Sequence, residues 1–211
     1  MEQVNTFIPN KKLLVLDGAA NHFMGGTLFP NVILGDFDSI LNAEYWGIQN
    51  QFDSIDNCTK PYPGYFGVLI VPAKNQDFTD LEKGIHFCDS SLADSIVILN
   101  ATGGRLDHTL GNIGFLKKYY RPDRKITLVT RTECVEYVKD ATVMLTGPVG
   151  SVCAILGYPE AKMTTTGLTY NGQNYPLSIG LQESICNTLA EPTATINIQG
   201  EALVISCIPH E

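Results

Sequence analysis

Several common functional signatures are missing from this 211-residue chain. It has no G-x-x-x-x-G-K-[ST] phosphate loop, so it is not a P-loop enzyme, and it has neither a G-x-S-x-G elbow nor an H-E-x-x-H helix. No apolar run approaches the length needed to span a bilayer, and no membrane association is expected. The first residues, Met1 to Asn5, lack the basic and apolar regions of a secretory signal. The six cysteines (Cys58, Cys88, Cys134, Cys153, Cys186 and Cys207) are scattered without a C-x-x-C pair. They read as reduced, mostly structural thiols of a cytoplasmic protein, in which the sequons at Asn57 and Asn100 carry no glycosylation message. Basic charge is also scarce: the formal net charge is -8, which excludes a general nucleic-acid or anionic-membrane surface. Internal repeats and low-complexity segments are absent.

What is present is an ordinary globular composition, 44% hydrophobic and 17% charged, in a chain long enough for one large or two small cores. The first half alternates short β-rich runs with helical stretches. Leu13 to Leu16, Val32 to Leu34, Val68 to Val71 and Ile96 to Leu99 are continuously apolar, as strands buried on both faces are. Thr79 to Ser90 and Asp107 to Tyr120 carry apolar residues at helical spacing, with Thr79 suited to cap the first. This alternation predicts an α/β domain with a mainly parallel, doubly wound sheet over residues 1–130. Its ligand would lie at the carboxyl ends of the strands.

From about Thr132 the pattern changes. Short runs (133–138, 142–145, 151–156, 193–198 and 202–208) are separated by turn signals at Gly147-Pro148, Gly157-Tyr158-Pro159, Asn171-Gly172 and Gly200. Charge thins to eight acids and three bases after Ile126. An all-β sandwich or barrel over residues 131–211 is predicted.

Four polar clusters follow the first-half strands, so this fold would bring them to one rim. In Asp17-Gly18-Ala19-Ala20-Asn21, small residues admit a ligand to the backbone and Asp17 can accept from a hydroxyl or hold a metal-bound water; a plain turn accounts for it equally. In Gly35-Asp36-Phe37-Asp38-Ser39, two carboxylates at i and i+2 repel unless a hard cation such as Mg2+ joins them. The competing reading is a turn whose Asp38 caps a helix near Leu41. In Asp77-Phe78-Thr79-Asp80, two acids flank a helix start, where they are favourable without a ligand, although the same N–H groups and Thr79 also suit phosphate. In Gly103-Gly104-Arg105-Leu106-Asp107-His108, an open glycine pair precedes an arginine whose fork fits phosphate oxygens, while the alternative is a turn with Asp107 as cap. So many carboxylates with one placed arginine suit metal-assisted phosphoryl-type transfer from a nucleotide. Residue chemistry alone stops there.

The segments DGAANHF (17–23), ILGDFDSI (33–40), NQDFTDLEKGI (75–85), GGRLDHTLGNI (103–113) and ESICNT (183–188), in this order, resemble the thiamine pyrophosphokinase family. Ala19 stands where a glycine is usual in that family, and Cys186 where a serine is common. The resemblance implies an N-terminal α/β domain, a C-terminal β-sandwich that meets thiamine and mediates dimerisation, and a homodimer with active sites at the subunit interface. It implies ATP as co-substrate and Mg2+ as cofactor, with Asp36, Asp38 and Asp80 as metal ligands. Asp36, Asp38, Asp80, Arg105 and Asp107 are then the catalytic set. Asp17, Asn21, Asp77, Thr79, Gly104 and Arg105 take the nucleotide and diphosphate, and Ser184 and Asn187 take thiamine. The product would be thiamine diphosphate, with AMP leaving. Two alternatives remain: a kinase or pyrophosphokinase of the same fold acting on another small alcohol, and a non-catalytic sensor of nucleotide or thiamine.

Overall fold

A computed structural model describes residues 11–48 and 60–208. Met1 to Asn5, Cys58 and the sequon at Asn57 lie outside the described residues. The chain forms two compact units, residues 1–93 and 94–211.

The first unit is built on β1 (Leu14–Leu16), β2 (Val32–Gly35), β3 (Tyr62–Pro63) and β4 (Leu69–Pro72), ordered β1-β2-β4-β3. β1, β2 and β4 are parallel and β3 is antiparallel to β4. The continuous apolar runs are explained by burial on both faces. Val15, Ile33 and Ile70 point into one cluster with Ala20, Phe23, Phe37, Ile40 and Trp46. Their neighbours Leu14, Leu16, Val32, Leu34, Leu69 and Val71 pack on the other side with Phe87 from helix α1 (Asp80–Ser90). The expected helix near Leu41 is a single 3-10 turn, Ala43–Trp46, capped by the Asn42 side chain, which accepts from the Tyr45 N–H. Asp38 does not cap it.

The second unit is a curved sheet. β5 (Ser95–Leu99) and β6 (Lys125–Val129) are parallel, with α2 (Leu106–Lys118) between them in sequence. Then follow β7 (Glu133–Lys139), β8 (Thr142–Thr146), β9 (Val152–Thr166), β10 (Tyr175–Ser178), β11 (Ser184–Thr188) and β12 (Thr193–Cys207). The sheet order is β10-β9-β12-β7-β6-β5, with β11 on β9 and β8 on β12. β6 pairs antiparallel with β7, so the boundary expected near residue 130 falls between two hydrogen-bonded strands of one sheet. β5, read in sequence as a neighbour of β1, β2 and β4, pairs with β6 instead; an apolar run marks a buried strand but not its partner.

The two 15-residue strands, β9 and β12, pair along most of their length. The sequence signals at Gly157 and Gly200 are bends within these strands rather than ends. At Gly200, φ is +96° and the β9–β12 register shifts. At Gly157 a Cβ would overlap the Leu177 carbonyl oxygen, so only glycine lets β10 approach. The sheet thereby curls around one core, in which Val138, Ile155, Met163, Leu177, Ile196, Ile198 and Val204 meet. Cys153 lies in that core, and Cys134, Cys153, Cys186 and Cys207 are free thiols. No helix of the described residues is long and apolar enough to cross a membrane.

Candidate active site

In the first unit the chain leaves β1 and β2 through acidic turns that meet. Asp17 opens a 3-10 helix (Asp17–Phe23) with φ of +39°, and Phe37 separates Asp36 from Asp38 with φ of +69°. Positive φ at a non-glycine residue costs energy and persists only where the surrounding contacts impose it, as they do at both of these turns. The consequence is that one oxygen each from Asp17, Asp36 and Asp38 lies within 4.8 Å of the others. Gly35 is required for this approach, because a Cβ there would sit 2.9 Å from the Asp17 Cβ.

The three carboxylates differ in surroundings. Asp17 is 5% exposed, and its Oδ1 has no hydrogen-bond partner among the described residues. Burial pushes its carboxyl upward; the Gly18 N–H and Ser39 oppose this, and the charges of Asp80 and Asp36 add to it. Burial also acts on Asp36, but the Gln76 hydrogen bond (Nε2 to Oδ2, 2.8 Å), the Asp38 N–H and the Lys83 charge together bring it below the usual carboxylate range. Asp38 is exposed and accepts from the Ser39 hydroxyl at 2.8 Å. An unpartnered, buried carboxylate oxygen facing two more carboxylates is a hard-oxygen donor set that fits Mg2+. Geometry thus groups Asp17 with Asp36 and Asp38, whereas Asp80 accepts from Lys83 (3.1 Å) on the first turn of α1.

Other predicted residues of this unit have local duties. Asn21 clamps the following loop, donating to the Ser39 carbonyl and accepting from the Leu41 N–H, each at 2.9 Å. Thr79 caps α1 in a reciprocal box with Glu82. The Asp77 N–H donates to Asn75 Oδ1 at 2.8 Å. Gln76 and Lys83 were not singled out in the sequence: an i, i+3 Lys–Asp pair reads as a solvated helix face, and only packing shows that the Lys83 side chain is 7% exposed.

The fourth cluster belongs to the second unit. The Arg105 guanidinium grips Asp107 in a fork, with Nε to Oδ1 at 3.1 Å and Nη2 to Oδ2 at 2.6 Å, and both side chains are exposed. That pairing holds the Asp107 carboxyl below its ordinary range. Asp107 lies in the first turn of α2 and is not its cap; Arg105 occupies the cap position, and its side chain makes no capping bond to the helix N–H groups. Gly104 faces open space. Farther along, β11 bulges between Ser184 and Asn187, and both line a cleft of about 360 Å3 with Met163, Tyr170, Tyr175 and Glu183. Such a volume suits a small organic ligand.

A model of the thiamin pyrophosphokinase catalytic domain matches residues 5–128, and one of the thiamin pyrophosphokinase vitamin B1 binding domain matches residues 141–203. The chain belongs to the thiamin pyrophosphokinase family. The acidic turns and the Gly103 to Asp107 loop fall inside the catalytic-domain match, and the Ser184–Asn187 cleft falls inside the vitamin B1 match. Thiamine pyrophosphokinase 1 of Oryza sativa subsp. japonica is 29% identical over 205 residues, covering 89% of this chain and 75% of that protein. Thiamine pyrophosphokinase of Bacillus subtilis is 26% identical over 181 residues, covering 84% and 78%. The fold is that of the crystal structure of the Bacillus subtilis enzyme (TM-score 0.78, 22% identity, 99% of this chain and 93% of that one). It is also that of thiamin pyrophosphokinase from Candida albicans (TM-score 0.76, 18% identity, 99% and 86%). As in these family members, an α/β catalytic part precedes an all-β part.

Proposed function

We propose that the protein is a thiamine pyrophosphokinase that transfers the diphosphate of ATP to the hydroxyl of thiamine, giving thiamine diphosphate and AMP. The observation that carries this reading is the convergence of Asp17, Asp36 and Asp38 on one point, inside the segment matched by the catalytic-domain model. Asp17, Asp36 and Asp38 would hold Mg2+, with the Asp80 carboxylate near enough to add its charge. When bound, the ion offsets charge on the phosphate oxygens of the transition state. The Arg105 fork turns from Asp107 to the transferred group, and Gly104 lets phosphate approach the backbone. Asn21, Asp77 and Thr79 shape the turns on which the nucleotide rests. The thiamine hydroxyl oxygen attacks the β-phosphorus, the bond from that phosphorus to the AMP oxygen breaks, and the hydroxyl proton passes to a carboxylate. Asp80 and Asp107 are the two candidates for that base.

Thiamine occupies the cleft beside Ser184 and Asn187. The division of labour follows residues 1–130 for nucleotide and metal and 131–211 for thiamine and dimerisation, in a cytoplasmic homodimer whose active sites form at the subunit interface. The test is an acceptor panel: thiamine and other small alcohols are offered with MgATP and AMP release is followed. Release that depends on thiamine alone supports the reading. Release driven better by another alcohol points to a different pyrophosphokinase, and thermal stabilisation by thiamine without AMP points to a sensor.

A further inference from the structure

Lys83 has no role in the reading above, yet it is a buried cation set among acids. Its side chain is 7% exposed, its Nζ donates to Asp80 Oδ1 at 3.1 Å, and its charge reaches Asp36. An ammonium is rarely buried unless something requires it, since leaving water costs several kcal/mol per ion. Here Asp17, Asp36 and Asp38 converge, Asp17 is buried, and Asp80 is close enough to act on Asp17. Four carboxylates in one region repel one another before any divalent cation arrives. The position of Lys83 on α1 answers this: the Thr79–Glu82 box fixes the start of the helix, and Lys83 one residue later reaches back to Asp80 within the same turn.

We propose that Lys83 is a positioning residue of the diphosphate-transfer site, a built-in counter-charge that fixes Asp80 and holds the acidic turns together until a divalent cation binds. This rests on the function proposed above. Two consequences pull in opposite directions, which separates the role from simple structural support. A fixed positive charge beside a cation site weakens binding of the cation alone, so removing it tightens binding. Removing it also frees Asp80, so turnover falls.

The experiment compares the full-length protein with Lys83→Met and Lys83→Arg, using Mn2+ alone as a titrated probe and thiamine-dependent AMP release as the second readout. Lys83→Met is expected to bind Mn2+ at least about fivefold more tightly, the least that one unit charge about 4 Å away contributes even at the dielectric of water. Its kcat is expected to fall at least about tenfold at saturating metal while the KM for ATP moves less than about threefold, as for a group that acts through another. Lys83→Arg keeps the charge and is expected to keep the wild-type Mn2+ affinity. Unchanged Mn2+ affinity in Lys83→Met, or a kcat within about twofold of wild type, overturns the proposal. Should Lys83→Met fail to fold, Lys83→Gln against Lys83→Arg makes the same comparison. The Mn2+ titration does not depend on turnover: tightening in Lys83→Met upholds the counter-charge even where the wild type makes no thiamine diphosphate, an outcome that would sink the substrate reading alone.

Discussion

Asn187 holds the backbone of Tyr170 at both ends: its Oδ1 accepts from the Tyr170 N–H at 3.1 Å, and its Nδ2 donates to the Tyr170 carbonyl at 2.8 Å. The remaining capacity is taken by the Thr188 N–H at 2.9 Å and the Ser184 hydroxyl at 3.3 Å. With the residue 2% exposed, the amide is saturated. Under the proposed thiamine site, its part would be to place Tyr170 and Ser184 along the cleft. Asn187→Ala strands polar backbone groups and is expected to destabilise the protein by about 1–3 kcal/mol in denaturant unfolding. The KM for thiamine should rise about tenfold, as for a loss of about 1.4 kcal/mol in binding. A wild-type KM in a destabilised variant would confine Asn187 to structure.

Asp36 tests the metal assignment. Asp36→Asn is expected to lower thiamine-dependent turnover at least about a thousandfold, because several kcal/mol of charge stabilisation leave with the ligand. Without metal its melting temperature should fall modestly, since Gln76, the Asp38 N–H and Lys83 favour the ionised Asp36 carboxylate in the folded protein. Turnover assays and thermal melts with and without Mg2+ check both.

Arg105 and Asp107 separate catalysis from stability. Their pair is exposed on both sides, so Arg105→Ala should leave the unfolding free energy nearly unchanged. If Arg105 instead serves the transferred diphosphate, turnover should fall about a thousandfold, as when an arginine that stabilises phosphoryl transfer is lost. A large stability loss with little loss of rate would contradict the assignment.

Glu201 makes an acid-stability prediction. Hydrogen bonds from Lys117 and then Lys139 lower its carboxyl from 4.5 to about 2, and Tyr137 adds a third. Folding thus favours the ionised form, and the unfolded chain binds more protons between these values. The contribution is whole above about 4.5 and is lost as pH falls through about 2. Replacing Glu201 by Gln should flatten the acid limb of stability in that window. It also loosens α2, whose Lys117 this carboxylate holds.

Much of this was legible in the sequence. Leu14 to Leu16, Val32 to Leu34 and Leu69 to Val71 are strands because both faces of their sheet are covered, and apolar runs state that directly. Thr79 was legible as a cap because its box is local in sequence. Features that depend on distant partners were not. β6 carries Thr127 amid its apolar residues and was not read as a strand; its identity comes from pairing with β5 and β7. Residues 193–198 and 202–208 read as two strands because Gly200 is an ordinary turn signal, but here it bends one strand. Within the site, the acids after β1 and β2 were visible as motifs. The grouping of Asp17 with Asp36 and Asp38, the grip of Gln76 on Asp36 and the burial of Lys83 arise only when the turns and α1 come together.

The most direct measurement is product identification by mass spectrometry after incubation with MgATP, with and without thiamine. The account predicts AMP and thiamine diphosphate in equal amounts, both dependent on thiamine and both lost on chelation with EDTA. ADP with thiamine monophosphate, or no product from a folded protein that still binds thiamine, would contradict it.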